Sequence, residues 1–179
     1  MRKLLGAGAV LALLGTAAAA SGLKIEVAGE ANGTITIDLA EDVAPQHVAR
    51  ITELAEAGAY DGVVFHRVID GFMAQTGDVQ YGKSGENTAG AGRGGSDLPD
   101  LKAEFSDVPF DRGIVGMARS QSPDSANSQF FIMFDEGYNL NGQYTVVGRV
   151  TEGLDVLDAI ARGEPPATPD VMQKVTVTE

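Results

Sequence analysis

The chain has 179 residues, enough for one domain with a sizeable core, and 44% of them are hydrophobic, which excludes disorder as the default. It has no cysteine, which excludes disulfide frameworks, thiolate nucleophiles and cysteine-based zinc sites. A formal net charge of -12 argues against nucleic acid and anionic membranes as partners, since both bind through lysine and arginine.

Residues 1–20 read MRKLLGAGAVLALLGTAAAA. Arg2 and Lys3 form a short basic start, an apolar run follows, and Ala18, Ala19 and Ala20 supply the small residues of a cleavage site. This is the layout of a secretory signal peptide, with cleavage expected near Ala20-Ser21. The expected organisation is therefore a leader at 1–20 and one domain at 21–179. The expected location is the periplasm or the cell exterior, with no membrane attachment after cleavage.

Beyond Ser21 the dominant period is two. Strands are expected near 23–28, 33–39, 63–68, 72–76, 114–118, 129–134, 145–150 and 173–178. Asn32-Gly33 suits a tight turn between the first two. A helix is expected over 45–57, with Pro45 in its first turn, Gly58 after it, and Val48, Ile51, Leu54 and Ala55 as its buried stripe. A second is expected over 154–162. Eight strands and two helices suit a mainly β fold: a closed eight-stranded antiparallel barrel capped by two helices, with its site on the outer wall.

Residues 82–96, GKSGENTAGAGRGGS, have almost no apolar side chain and are expected to form a surface loop. Residues 163–170, GEPPATPD, form a proline-rich connector. Two glycine motifs are rejected. Residues 77–84 satisfy the phosphate-loop pattern, but the glycine-rich sequence after them cannot supply the helix that motif needs. Gly90, Gly92 and Gly95 match a dinucleotide fingerprint with no strand before and no helix after.

The informative segments are 60–77, YDGVVFHRVIDGFMAQTG, and 126–132, ANSQFFI. Together they offer the Arg67 guanidinium, the side-chain amides of Gln75 and Gln129, and a patch of Phe72, Met73 and Phe131. Phe130 and Ile132 point to the opposite layer and are expected in the core. These segments hold no nucleophile beside a base and no carboxylate pair, so hydrolysis is not indicated. They suit the holding of a neutral apolar ring beside an amide bond. With two histidines in the chain, a histidine metal cluster is not expected, and His47 is read as structural.

The same segments resemble the cyclophilins. The family pattern aromatic-x-x-small-x-F-H-R-aliphatic-aliphatic-x-x-F-M-x-Q-x-G is met throughout 60–77, and S-Q-F-F-I is met at 128–132. A weaker match runs through Leu140-Asn141-Gly142 and 144–148. The resemblance spans roughly 23–178 and implies a peptidyl-prolyl cis–trans isomerase acting on proline-containing polypeptides, without cofactor or metal. By position it implies Arg67 as the catalytic group. Phe72, Met73, Phe131 and Leu140 would line the proline pocket, and Gln75 would support Arg67. His66, Gln129 and the main chain near Ala118 and Arg119 would complete the groove. Tyr144 stands where some members have histidine.

The chain departs from many members in placing Asn139 before Leu140, where they have tryptophan. It contains no tryptophan at all. Weak cyclosporin binding is therefore expected. A monomer is the default expectation. The competing reading is a peptide-binding or holdase module that uses the same groove with little turnover.

Overall fold

Nine strands and two helices succeed one another over residues 21–179, the residues that the computed structural model describes. The expected leader at 1–20 lies outside the described residues. No helix among the described residues is long and apolar enough to cross a membrane.

Strands β1 (Gly22–Ala28) and β2 (Gly33–Leu39) form an antiparallel hairpin in which Ile25 faces Ile35. Leu23, Ile25 and Val27 are buried while Lys24 and Glu26 are exposed, the alternation of a strand with one wet face. Helix α1 (Pro45–Glu56) buries Val48, Ile51, Leu54 and Ala55 against the sheet. Its Ala44 N-cap offers no side-chain acceptor. Glu104 takes that part from a distant loop, accepting from Gln46 N and His47 N at 3.1 Å each and lying 2.6 Å from His47 Nδ1.

The strand expected over 63–68 is two strands, β3 (Val63–Val64) and β4 (Arg67–Ile69). Then follow β5 (Met73–Thr76), β6 (Ile114–Met117), β7 (Phe130–Met133), β8 (Val146–Glu152), α2 (Leu154–Asp158) and β9 (Val171–Thr178). The second helix ends well before the expected Arg162. Its exit is held by buried Asp170, whose carboxylate accepts from Ala161 N at 2.7 Å and from Ala31 N at 2.9 Å.

The mainly β class with two helices holds, but the closed eight-stranded barrel does not. The sheet has nine antiparallel strands in the order β3-β9-β1-β2-β8-β6-β7-β5-β4 and curls into a half-barrel. The physical reason is the break at Phe65-His66. Phe65 N still bonds Asp170 O at 2.9 Å, next to β9, whereas His66 N bonds Gln75 O at 3.2 Å, on β5. One short stretch of chain thus supplies both ends of the sheet, and no ladder joins them.

Strands β5, β6 and β7 are buried on both faces and so lack an in–out polarity. Ala74, Val115, Met117, Phe130 and Ile132 enter the main core beneath the curl. Met73, Ile114, Phe131 and Met133 point the other way, into a second cluster with Phe110, Leu140 and Val146. That second cluster is the floor of the site described below.

The glycine-rich stretch is a surface loop, but an anchored one. Asp78 is fully buried. Its Oδ1 accepts from Gln80 N and Tyr81 N at 3.1 and 2.9 Å, and its Oδ2 from Gly92 N and Gly94 N at 2.7 and 2.9 Å. A Cβ on Gly94 would lie 2.5 Å from Asp78 Oδ1, so glycine is what admits the carboxylate. Removing the acceptor strands several amides in a dry environment. Asp78→Ala should therefore cost about 3 kcal/mol in urea unfolding and speed amide exchange at Gly92 and Gly94. A change below about 0.5 kcal/mol would mean the loop is held by other contacts.

Candidate functional site

The site is built by strand register. Arg67 on β4 lies directly opposite Gln75 on β5, Gln75 opposite Phe131 on β7, and Phe131 opposite Gly116 on β6. Opposed residues on neighbouring strands share a face. Four consecutive strands therefore present a guanidinium, an amide, an aromatic ring and an open position in one row. Met73, opposite both Ile69 and Met133, starts the next row on that face.

A notch of about 230 Å³, with apolar walls and a polar rim, lies over this row. Phe131 forms its floor. The ring stacks on Phe110 with centroids 5.8 Å apart and planes at 23°, and meets the Tyr144 ring edge-on at 5.7 Å. Gly116 permits this packing, because a Cβ there would lie 2.5 Å from Phe131 Cζ and 2.7 Å from Phe110 Cε1. Phe72, Met73, Leu140 and Tyr144 supply apolar walls, and Arg67, Gln75, Ala118 and Arg119 complete the lining. Leu140 ends a 3-10 turn, Tyr138–Leu140, tied to the floor where Asn141 Oδ1 accepts from Phe110 N at 2.9 Å.

The Arg67 side chain is 41% exposed, and its Nε donates to Glu164 Oε2 at 3.2 Å. Its terminal nitrogens make no hydrogen bond among the described residues. Gln75 does not bond Arg67, although the two are opposed. Its Nε2 donates instead to Gln129 Oε1 at 2.9 Å, and Gln129 Nε2 donates to Gly94 O at 2.8 Å. The amide pair links the row to the glycine-rich loop, and the hydrogen bond to Arg67 comes from the connector.

Arg119 folds over Tyr144, its guanidinium carbon 4.4 Å from the ring centroid, and donates to Gln143 O from Nε and Nη2 at 3.0 and 2.8 Å. Its charge is thus spent on holding the rim. Ala118 N bonds Gln129 O at 2.9 Å.

His66 stands apart from the notch. It is 6% exposed, both ring nitrogens are buried without a hydrogen bond, and a Cβ on Gly92 would lie 3.1 Å from its Cδ2. It touches only a neighbouring cleft of about 330 Å³, while Gln129 borders another recess of about 350 Å³. Nine of the eleven expected residues line the notch itself, and these two stand beside it.

Sequence reasoning missed Glu164, Phe110, Gly116 and Asp78. Gly116 did leave a signal, since a glycine inside the apolar run 114–117 marks a close approach. Glu164 left none. Among the described residues no group of three or more histidine, aspartate or glutamate side chains is arranged to hold a metal ion.

Burial pushes the His66 pKa below the usual histidine range; the charge of Asp78 opposes this and that of Arg67 adds to it. A folded-state pKa below the unfolded value of about 6.5 gives stability that is fully present above that pH and declines as pH falls beneath it. The urea midpoint should therefore drop between pH 7 and 5.5, and drop less in His66→Gln. Equal drops in the two proteins would clear His66 of the effect.

Residues 23–179 match the model of the family described as "Cyclophilin type peptidyl-prolyl cis-trans isomerase/CLD". A "Probable peptidyl-prolyl cis-trans isomerase" of Brucella suis is 54% identical over 169 residues, covering 91% of this chain and 86% of that one. A "Peptidyl-prolyl cis-trans isomerase" of Helicobacter pylori is 40% identical over 136 residues, covering 74% and 77%. Among solved structures, a cyclophilin from Hirschia baltica superposes with a TM-score of 0.73 at 30% identity, covering 87% of this chain and 73% of that one. A cyclophilin-type isomerase from Cryptosporidium parvum reaches 0.77 at 24% identity, a likeness of fold.

Proposed function

This chain belongs to the cyclophilin-type peptidyl-prolyl cis–trans isomerase family and acts on proline-containing polypeptides, and on that premise we propose that Arg67 is its catalytic group and the Phe131 notch its proline pocket. The observation that carries this reading is a guanidinium, its terminal nitrogens without a hydrogen bond among the described residues, on the rim of a notch walled by Phe72, Met73, Phe131 and Leu140.

Resonance gives the peptide C–N bond partial double-bond character and a rotational barrier of ~18–20 kcal/mol. In the twisted state the prolyl nitrogen becomes pyramidal and regains its lone pair. The Arg67 terminal N–H groups donate to that lone pair, a bond stronger in the twisted state than in the planar one. Phe131, Met73, Phe72 and Leu140 grip the ring while the preceding carbonyl turns. Lowering the barrier by about 4–7 kcal/mol gives turnover of roughly 10–1,000 per second, within reach of one charged donor plus positioning.

Glu164 steers Arg67. By taking Nε on the cleft side, it leaves the terminal nitrogens for the notch. The Gln75–Gln129 amide pair and the main chain at Ala118 and Arg119 meet the substrate backbone, in the manner of an added strand.

Residues 1–20 direct export and are removed near Ala20-Ser21. The remaining chain works as a monomer on exported polypeptides in the periplasm or outside the cell, assisting their folding. The layout of the leader supports this, and N-terminal sequencing of exported protein that began at Met1 would refute it.

Arg67→Ala should keep its circular dichroism spectrum and lose about 10²–10³-fold in a protease-coupled proline-peptide assay. Near-normal turnover would remove Arg67 from the mechanism. In the same assay cyclosporin should inhibit weakly, because Asn139 leaves the rim without a tryptophan; nanomolar inhibition would refute that expectation.

A further inference from the structure

A second cleft lies across Arg67 from the notch. It holds about 330 Å³, runs between the glycine-rich loop and the proline-rich connector, and shares Arg67 and Gln75 with the notch. The connector side carries Glu164, already paired with Arg67. The loop side carries Arg93, which is exposed and makes no side-chain hydrogen bond or ion pair among the described residues.

The stem of Arg93 is fixed although its side chain is free. Gly92 N and Gly94 N donate to buried Asp78 at 2.7 and 2.9 Å, and Arg93 N donates to Gly90 O at 3.1 Å. Gly94 O accepts from Gln129, which is bonded in turn to Gln75. Gly92 has φ +95°, a conformation that favours glycine, and a Cβ there would lie 3.1 Å from His66 Cδ2. In the run 90–95, GAGRGG, Arg93 is the one long side chain. A chain that packs glycines tightly around a buried carboxylate and projects a single cation, without a partner among the described residues, has preorganised that cation.

The charge background sharpens its effect. A protein of net charge -12 repels acidic polypeptides at long range. Within a Debye length of about 8 Å, the nearest free charge decides. We propose that the cleft is a substrate subsite in which Arg93 takes an aspartate or glutamate side chain of the polypeptide, a few residues from the proline in the notch. Arg93 is then a specificity-determining residue of the isomerase. This rests on the isomerase reading above.

The test uses proline peptides with Glu, Gln or Lys at each of the three positions on either side of the proline, assayed for kcat/KM on the processed protein. Each rate is taken relative to the same enzyme's rate on the Gln peptide. At one position or more, Glu should exceed Lys by about 2–5-fold, and about 1 M salt should erase the difference. Arg93→Gln should bring the ratio to one, and Arg93→Glu should invert it. A ratio of one at all six positions in the unaltered protein, or a ratio that survives Arg93→Gln, overturns the proposal. Absence of turnover on the Gln peptide would instead count against the isomerase reading itself.

Discussion

The site depends on a pairing register. Arg67, Gln75, Phe131 and Gly116 fall in one row across four strands because β4, β5, β7 and β6 pair without slippage at those positions. A slip of one residue on any of these strands would send its member of the row to the opposite face. The register is held by burial on both sides: Phe130 and Ile132 are locked in the main core while Phe131 and Met133 are locked in the outer cluster. On β6 and β7 a slip would exchange side chains of different size between two packed clusters, and close packing penalises such exchanges. The same packing that stabilises the sheet therefore sets the distance between the Arg67 guanidinium and the Phe131 ring.

The polar part of the site is tied to that row from two directions. Gln75 reaches Gln129, and Gln129 reaches the carbonyl of Gly94, so the glycine-rich loop is stitched to the sheet. Beneath it, Asp78 gathers four backbone amides into a buried carboxylate. From the other direction the connector places Glu164 against Arg67. An exposed pair of this kind contributes little to stability, on the order of 0–1 kcal/mol. Its value is directional, since it selects which nitrogens of the guanidinium remain available. The Phe131 floor is rigid in a different way, clamped between Phe110 and Tyr144.

Much of this was legible in the sequence. The period-two pattern marked strands such as β1 and β2, short apolar runs between turn residues marked β6 and β7, and Pro45 with Gly58 bracketed α1 closely. The alternation within 126–132 assigned Phe131 to one face and Phe130 and Ile132 to the other, as the two buried clusters show. Non-local effects were illegible. The break of 63–68 into β3 and β4 follows from two different neighbours, β9 and β5, competing for one run of apolar residues. Without that break a closed eight-stranded barrel was the natural expectation. The resemblance implied Gln75 as the support of Arg67, yet its amide donates to Gln129 instead. Glu164 lies 97 residues from Arg67, and no local pattern announces a pair at that separation.

The break in that run has a further consequence. A sheet that does not close leaves two edges, and each unpaired edge can template another chain. Here both edges belong to one short stretch, β3 and β4, of two and three residues. Each is also shielded: Val63 bridges to Lys83, and Val68 exchanges both backbone hydrogen bonds with Gly163 at 2.8 Å. An enzyme whose substrates are polypeptides meets candidates for unwanted strand addition at every encounter. By shortening its margins and covering them with its own loops, this fold denies such chains a foothold for co-aggregation.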